Sequence, residues 1–121
     1  MAKKKIPTNT PKWPRPDFWI SPNGKLAHIN FIHGLYDSNG KTPIFGCKED
    51  DDSIWLRIGP DPRYPGIPNP SASEVAGTLL HEMLHGLYPD GDEDFIERAE
   101  QILSATIRRN KKVWYWLLEN L

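Results

Sequence analysis

The sequence predicts an α+β domain: a small antiparallel β-meander followed by a helix that carries the chemistry, a second helix and a short C-terminal helix. Three observations lead there. Short runs rich in β-branched and aromatic residues lie between Lys25 and Ile58, separated by turn-forming clusters. A proline-crowded stretch, residues 59–70, follows them and excludes regular structure. Beyond it the apolar residues recur at helical spacing in two long segments, each opened by a capping residue. With 121 residues, 38% of them hydrophobic, the chain has material for one modest core.

In chain order, residues 1–22 read as a Pro-rich extended arm, because Pro7, Pro11, Pro14, Pro16 and Pro22 each fix φ and lack an amide donor. Trp13, Phe18 and Trp19 are its candidate anchors against the single domain over residues 23–121. Three strands are expected at residues 26–33, 42–45 and 53–58, with turns at residues 37–40 and 49–52. Connections this short imply antiparallel neighbours. Ser71 and Glu74 have capping-box spacing, so a helix is expected from about Ala72 to Tyr88, where Pro89-Asp90-Gly91 breaks it. Asp92 caps a second helix to about Asn110, and residues 113–121 form a Trp-rich terminal helix.

The net charge of −1 offers no large basic surface, which argues against nucleic-acid and acidic-membrane partners. Cys47 is the only cysteine, so no intrachain disulfide forms and thiolates cannot build a metal site. No apolar run is long enough for a signal-peptide core or a membrane span, and a cytoplasmic setting is expected.

The chemistry concentrates in His81-Glu82-Met83-Leu84-His85. Residues four apart on a helix stand one turn above each other, so His81 and His85 can direct imidazole nitrogens at one Zn2+ ion. Glu82 lies ~100° round the helix from His81. It can flank the metal without ligating it and take a proton from water held there. On the helical wheel Ala76, Leu80, Met83 and Leu87 form the expected core face, with both histidines on the other side.

A catalytic zinc takes three protein ligands and keeps one open position. No histidine follows His85, and the position for the extended metzincin histidine holds Gly91. The third ligand is therefore expected to be a downstream carboxylate, with His28 and His33 as alternatives. For a tight antiparallel helix pair, Glu97 fits best on height and Glu93 next. Against Glu97, it lies almost opposite the apolar stripe of its own helix, whereas Glu93 and Glu100 sit nearer the edge.

Residues 77–90 and 93–98, built around that motif, resemble the small zincin-like metallopeptidases of phages and prophages, and the likeness covers about residues 74–110. It implies a truncated zincin-like, gluzincin-type fold, zinc held by His81, His85 and an acidic residue of the next helix, Glu82 as general base, and a peptide or protein substrate. It also implies a substrate-pairing edge strand, for which residues 53–58 are the candidate, and an oxyanion-stabilising group, for which Tyr64, Tyr88, His28 and His33 are available. The rival expectation is a non-catalytic accessory protein in which zinc only ties the helices together.

Overall fold

The computed structural model describes residues 15–121, so the Pro-rich segment before Arg15 lies outside the described residues. Four strands, β1 (Phe18–Ile20), β2 (Leu26–Ile32), β3 (Gly46–Lys48) and β4 (Ile54–Arg57), precede three helices, α1 (Ala72–Leu87), α2 (Glu93–Arg109) and α3 (Lys111–Asn120). The architecture is α+β. The sheet order is β1-β2-β4-β3. β1 pairs antiparallel with β2, and β3 antiparallel with β4, but β2 and β4 run parallel with Ile29 opposite Ile54.

This mixed sheet corrects the antiparallel meander. The chain leaves β2, passes through an irregular loop to the far edge as β3, and turns back so that β4 fills the space between. β4 earns the central place by its side chains: Ile54 and Leu56 are fully buried on one face, and Arg57 is buried on the other. The strand expected at residues 42–45 forms instead at Gly46–Lys48, while Pro43 makes only an isolated bridge to Tyr36. An N–H is needed for a continuing ladder, and proline has none.

The C-terminal end of the expected arm belongs to the sheet, and Trp19 anchors it. Phe18–Ile20 is a strand, and Trp19 belongs to the buried cluster with Ala27, Ile29, Ile54 and Leu56. Its indole N–H donates to the Asp52 carbonyl at 2.8 Å, and its ring lies where a Cβ on Gly86 would stand, at 2.8 Å. Trp19 thereby joins the strand layer to the last turn of α1, which explains glycine at that position.

Helix α1 starts and stops for the reasons its sequence suggests. The Glu74 amide donates to Ser71 Oγ at 3.1 Å, and the Ser71 amide donates to Glu74 Oε1 at 3.0 Å. The Phe95 amide likewise donates to Asp92 Oδ1 at 2.8 Å and opens α2. The face that α1 lays on the sheet differs from the expected one. Val75, Leu79 and Met83 pack on the core cluster, whereas Ala76 and Leu87 are exposed. The helix has two partners, the sheet and α2, and Leu84 of α1 and Ile96 of α2 are both fully buried. A single-sided wheel averages these two faces into one. Among the described elements α3 contacts α2 alone, and none of its residues is buried.

The loop at residues 59–70 is fastened by two buried charges. Arg57 donates to the Gly59 and Pro68 carbonyls, both at 3.3 Å, and its guanidinium lies over the Phe45 ring. Asp61 accepts from the Tyr36 hydroxyl and from the Arg63 amide. Burial pushes the Asp61 carboxyl up, but the Tyr36 and Arg63 hydrogen bonds and the charges of Arg57 and Arg63 outweigh it and hold the group below its ordinary value. A carboxyl lowered in this way stabilises the fold above the unfolded-state value of about 3.9 and loses that contribution as pH falls through its folded-state value. Asp61→Asn should therefore be less stable than wild type at neutral pH, with the gap closing in urea titrations carried below about pH 4; a gap that stays constant with pH would refute the assignment.

Gly46 sets the distance between β3 and α1, since a Cβ there would stand 2.6 Å from Thr78 Cγ2 and 3.1 Å from the Trp55 carbonyl. Gly46→Ala should cost about 1–3 kcal/mol. Adding Thr78→Ser, which removes that methyl, should recover part of the loss in denaturant titrations; strict additivity of the two changes would show that the clash is not the cause.

Candidate metal centre

Three elements converge on the centre: the middle of α1, the first two turns of α2, and edge strand β3. Because α1 and α2 are antiparallel neighbours across the short Tyr88–Asp92 connection, the start of α2 comes beside the C-terminal half of α1. His81 Nε2 lies 2.6 Å from Glu93 Oε1, His85 Nε2 lies 3.1 Å from Glu93 Oε2, and the two Nε2 atoms are 3.2 Å apart. Among the described residues these three side chains form the group whose donor atoms lie close enough together to hold a metal ion.

The donor set is of a kind that a transition-metal ion such as zinc can take. Tetrahedral coordination with bonds of ~2.0–2.1 Å separates donor atoms by ~3.3 Å. Two of the three separations are close to that and the third is shorter. Two imidazoles and a carboxylate are also the ligand class of an open zinc site, which leaves one position free.

The expected third ligand, Glu97, stands outside this group, and Glu93, exposed like Glu97, is the carboxylate that reaches both imidazoles. At ~100° per residue Glu97 is rotated ~100° from buried Ile96, against ~60° for Glu93 and ~40° for Glu100, so it lies furthest round the helix of the three. Neither His28 nor His33 belongs to the group; His33 lies against Gly59 instead.

Glu100 takes a different part. Its Oε1 is 3.1 Å from His81 Nδ1, on the far side of the imidazole from Glu93. Glu93 and Glu100 are two turns apart on one face of α2, with the His81 ring between them. A Nδ1–H donated to Glu100 leaves the Nε2 lone pair for a metal and fixes the ring's orientation. The seven-residue spacing of these glutamates was visible in the sequence, but not which nitrogen each would meet.

Glu82 faces the same space from the sheet side. With His81, His85, Glu93 and Glu100 it lines a cleft of about 430 Å³ closed by Phe45, Gly46 and Cys47 of the β3 side. Its side chain is buried (9% exposed), and it has neither a hydrogen bond nor an ion pair among the described residues. Burial pushes its carboxyl up; the His81 and His85 charges pull it down, Glu93 pushes up again and Lys48 pulls down, and the balance leaves it above the ordinary carboxylate value.

The other expectations are redistributed. Residues 53–58 supply the central strand β4 and cannot be the edge that meets a substrate; β3 is the edge at the cleft. The Phe45 carbonyl accepts from the Arg57 amide and the Glu49 amide donates to the Ser53 carbonyl, so the alternating backbone groups of Gly46 and Lys48 point away from the sheet. None of Tyr64, Tyr88, His28 and His33 lines the cleft. Tyr64 donates to the Lys41 carbonyl at 2.8 Å, and Tyr88 packs edge-on against Phe95. No helix among the described residues is long and apolar enough to cross a membrane.

No protein-family model, curated protein or solved structure matches this chain. What the centre can do is therefore read from its own geometry.

Removing the carboxylate that meets both imidazoles should cost most of the zinc affinity. In calorimetric titrations Glu93→Gln should bind zinc far more weakly than wild type and Glu97→Gln should bind unchanged. Glu100→Gln should lose about 10–100-fold, the usual effect of an outer partner of a metal-binding histidine. Equal losses for Glu93→Gln and Glu97→Gln would overturn the ligand assignment.

Proposed function

We propose that this protein is a zinc-dependent peptidase with a truncated zincin-like fold, in which His81, His85 and Glu93 hold the metal and Glu82 is the general base. The observation that carries the reading is the state of Glu82. A carboxylate buried to this degree is expected to have partners, yet Glu82 has no hydrogen bond or ion pair among the described residues and opens onto the cleft beside the two imidazoles. Such an arrangement leaves it free to accept a proton from water.

Zinc bound by the three side chains would supply a Lewis acid that acidifies water and polarises a peptide carbonyl. The protein's own residues supply the rest. Glu93 and Glu100 hold the His81 ring from its two sides and keep its Nε2 directed at the centre. Glu82 removes a proton from the attacking water as its oxygen bonds to the carbonyl carbon. It then delivers that proton to the amide nitrogen as the C–N bond breaks, so that an acid and an amine leave. Burial raises the basicity of Glu82, which brings it nearer to what proton transfer around neutral pH requires. The outward backbone groups of Gly46 and Lys48 can pair with an extended peptide and hold its scissile bond over the cleft.

A purely structural zinc is the competing reading, because the ligands come from both α1 and α2 and would tie them together. Glu82 separates the two. In the catalytic reading Glu82→Gln retains about one equivalent of zinc and loses peptide hydrolysis by at least a hundredfold, in line with general-base contributions of about 10²–10⁴. If hydrolysis survives in this variant, Glu82 is not the base. If the wild-type zinc protein cleaves no member of a broad peptide library, the peptidase reading fails.

A further inference from the structure

A second groove, of about 680 Å³, opens between α1 and α2 and is larger than the cleft itself. It is continuous with the metal centre, for Phe45, Thr78 and Glu100 border both. From there it runs toward the N-terminus of α1 and the C-terminus of α2, over Ala76, Leu80 and Ile107, and ends at Arg108.

The charges on its walls are not equivalent. Glu74 accepts from the Ser71 amide in the capping box, and Glu100 is engaged by His81. Arg108 has no ion-pair partner among the described residues, nor have its neighbours Arg109, Lys111 and Lys112, all four of them exposed. The dipole of α2 favours positive charge in its last turn, but this applies to Arg108 and Arg109 and not to the two lysines that begin α3. The overall charge of −1 conceals this basic corner.

Building on the peptidase reading, we propose that the groove receives the part of an extended peptide substrate that flanks the scissile bond, and that Arg108, the one cation lining it among the described residues, selects acidic residues there. The spacing sets the position. Arg108 stands ~12 Å beyond Glu100 along α2 at ~1.5 Å per residue, and the metal-facing level of the helix lies a little before Glu100. At ~3.3 Å per residue of extended chain, the selected acidic residues fall about four to six positions from the cleaved bond. Between them and the bond, the Ala76, Leu80 and Ile107 walls take apolar side chains. An acidic, partly apolar peptide is thus the substrate class.

The test uses the full-length zinc-loaded protein and a randomised peptide library, with cleavage sites read by mass spectrometry. Asp and Glu should be enriched four to six positions from the cut on one side. In Arg108→Glu that preference should disappear or turn toward Lys and Arg. The variant's kcat/KM for the best acidic peptide should fall at least tenfold, while a peptide neutral at those positions is cleaved within twofold of wild type. A binding measurement stands beside activity: a fluorescent acidic peptide should bind the zinc-loaded Glu82→Gln protein at least tenfold more tightly than the Glu82→Gln, Arg108→Glu double variant. Cleavage without an acidic preference, or a preference that Arg108→Glu leaves intact, overturns the groove assignment and leaves the peptidase reading standing. No cleavage by wild type removes the peptidase reading and this inference with it. Salt-dependent binding of duplex DNA that is tighter than peptide binding and is lost in Arg108→Glu would assign the basic corner to nucleic acid instead.

Discussion

The arrangement depends on α1 being held from two sides at once. One side lies on β4 and β3, with Val75, Leu79 and Met83 against Ile54 and Leu56; the other meets α2, where Leu84 is buried. Full burial of a side chain of this size is worth about 1.5–3 kcal/mol, which applies to Leu84, while the partly buried Val75, Leu79 and Met83 each contribute less and together hold the helix's rotation. That rotation turns one strip of α1 toward the cleft between its two partners. His81, Glu82 and His85 lie along it and face the gap between the sheet edge and the second helix.

Gly46 and Gly86 are where this double clamp is tightest. At the first, β3 comes so near α1 that a Cβ would strike Thr78; at the second, the Trp19 ring occupies the space a Cβ would need. The first contact lies on the wall of the cleft, and the second is one residue beyond His85. Arg57 supports the same border from behind, reaching Phe45 with its guanidinium face and the proline-rich loop with its N–H groups. Core, loop and site are therefore coupled through β4, whose buried arginine and buried aliphatic side chains lie on opposite faces of one short strand.

The second helix contributes by angle more than by height. Glu93 and Glu100 share the face of α2 that flanks Ile96 and meet the two nitrogens of one imidazole. Glu97 lies between them along the axis but further round the helix from Ile96. Knowing the helix caps and the length of the connection was enough to bring this region of α2 beside the histidines. Choosing among its glutamates required the rotation of α2 about its own axis, which is set by burial of Ile96 and Leu84 and not by any local signal. For the same reason the sheet face of α1 was misjudged: its apolar residues serve two partners, and periodicity records only their sum.

Local chemistry was legible wherever a residue acts through neighbours in sequence. The capping box at Ser71 and Glu74, the Asp92 cap, the break at Pro89-Asp90-Gly91 and the one-turn spacing of His81 and His85 each depend on backbone geometry within a few residues, and each has its expected form. Whatever depends on distant partners was decided by the fold. β4 enters between β2 and β3 because its side chains require cover on both faces; β3 in consequence becomes the edge beside the cleft, and Trp19 is drawn from the proline-rich beginning of the chain into the core. The sequence by itself determined the helices and the two imidazoles. Only tertiary packing, which sets how α1, α2 and the sheet are rotated against one another, determined which carboxylate meets those imidazoles and which one is left buried and free beside them.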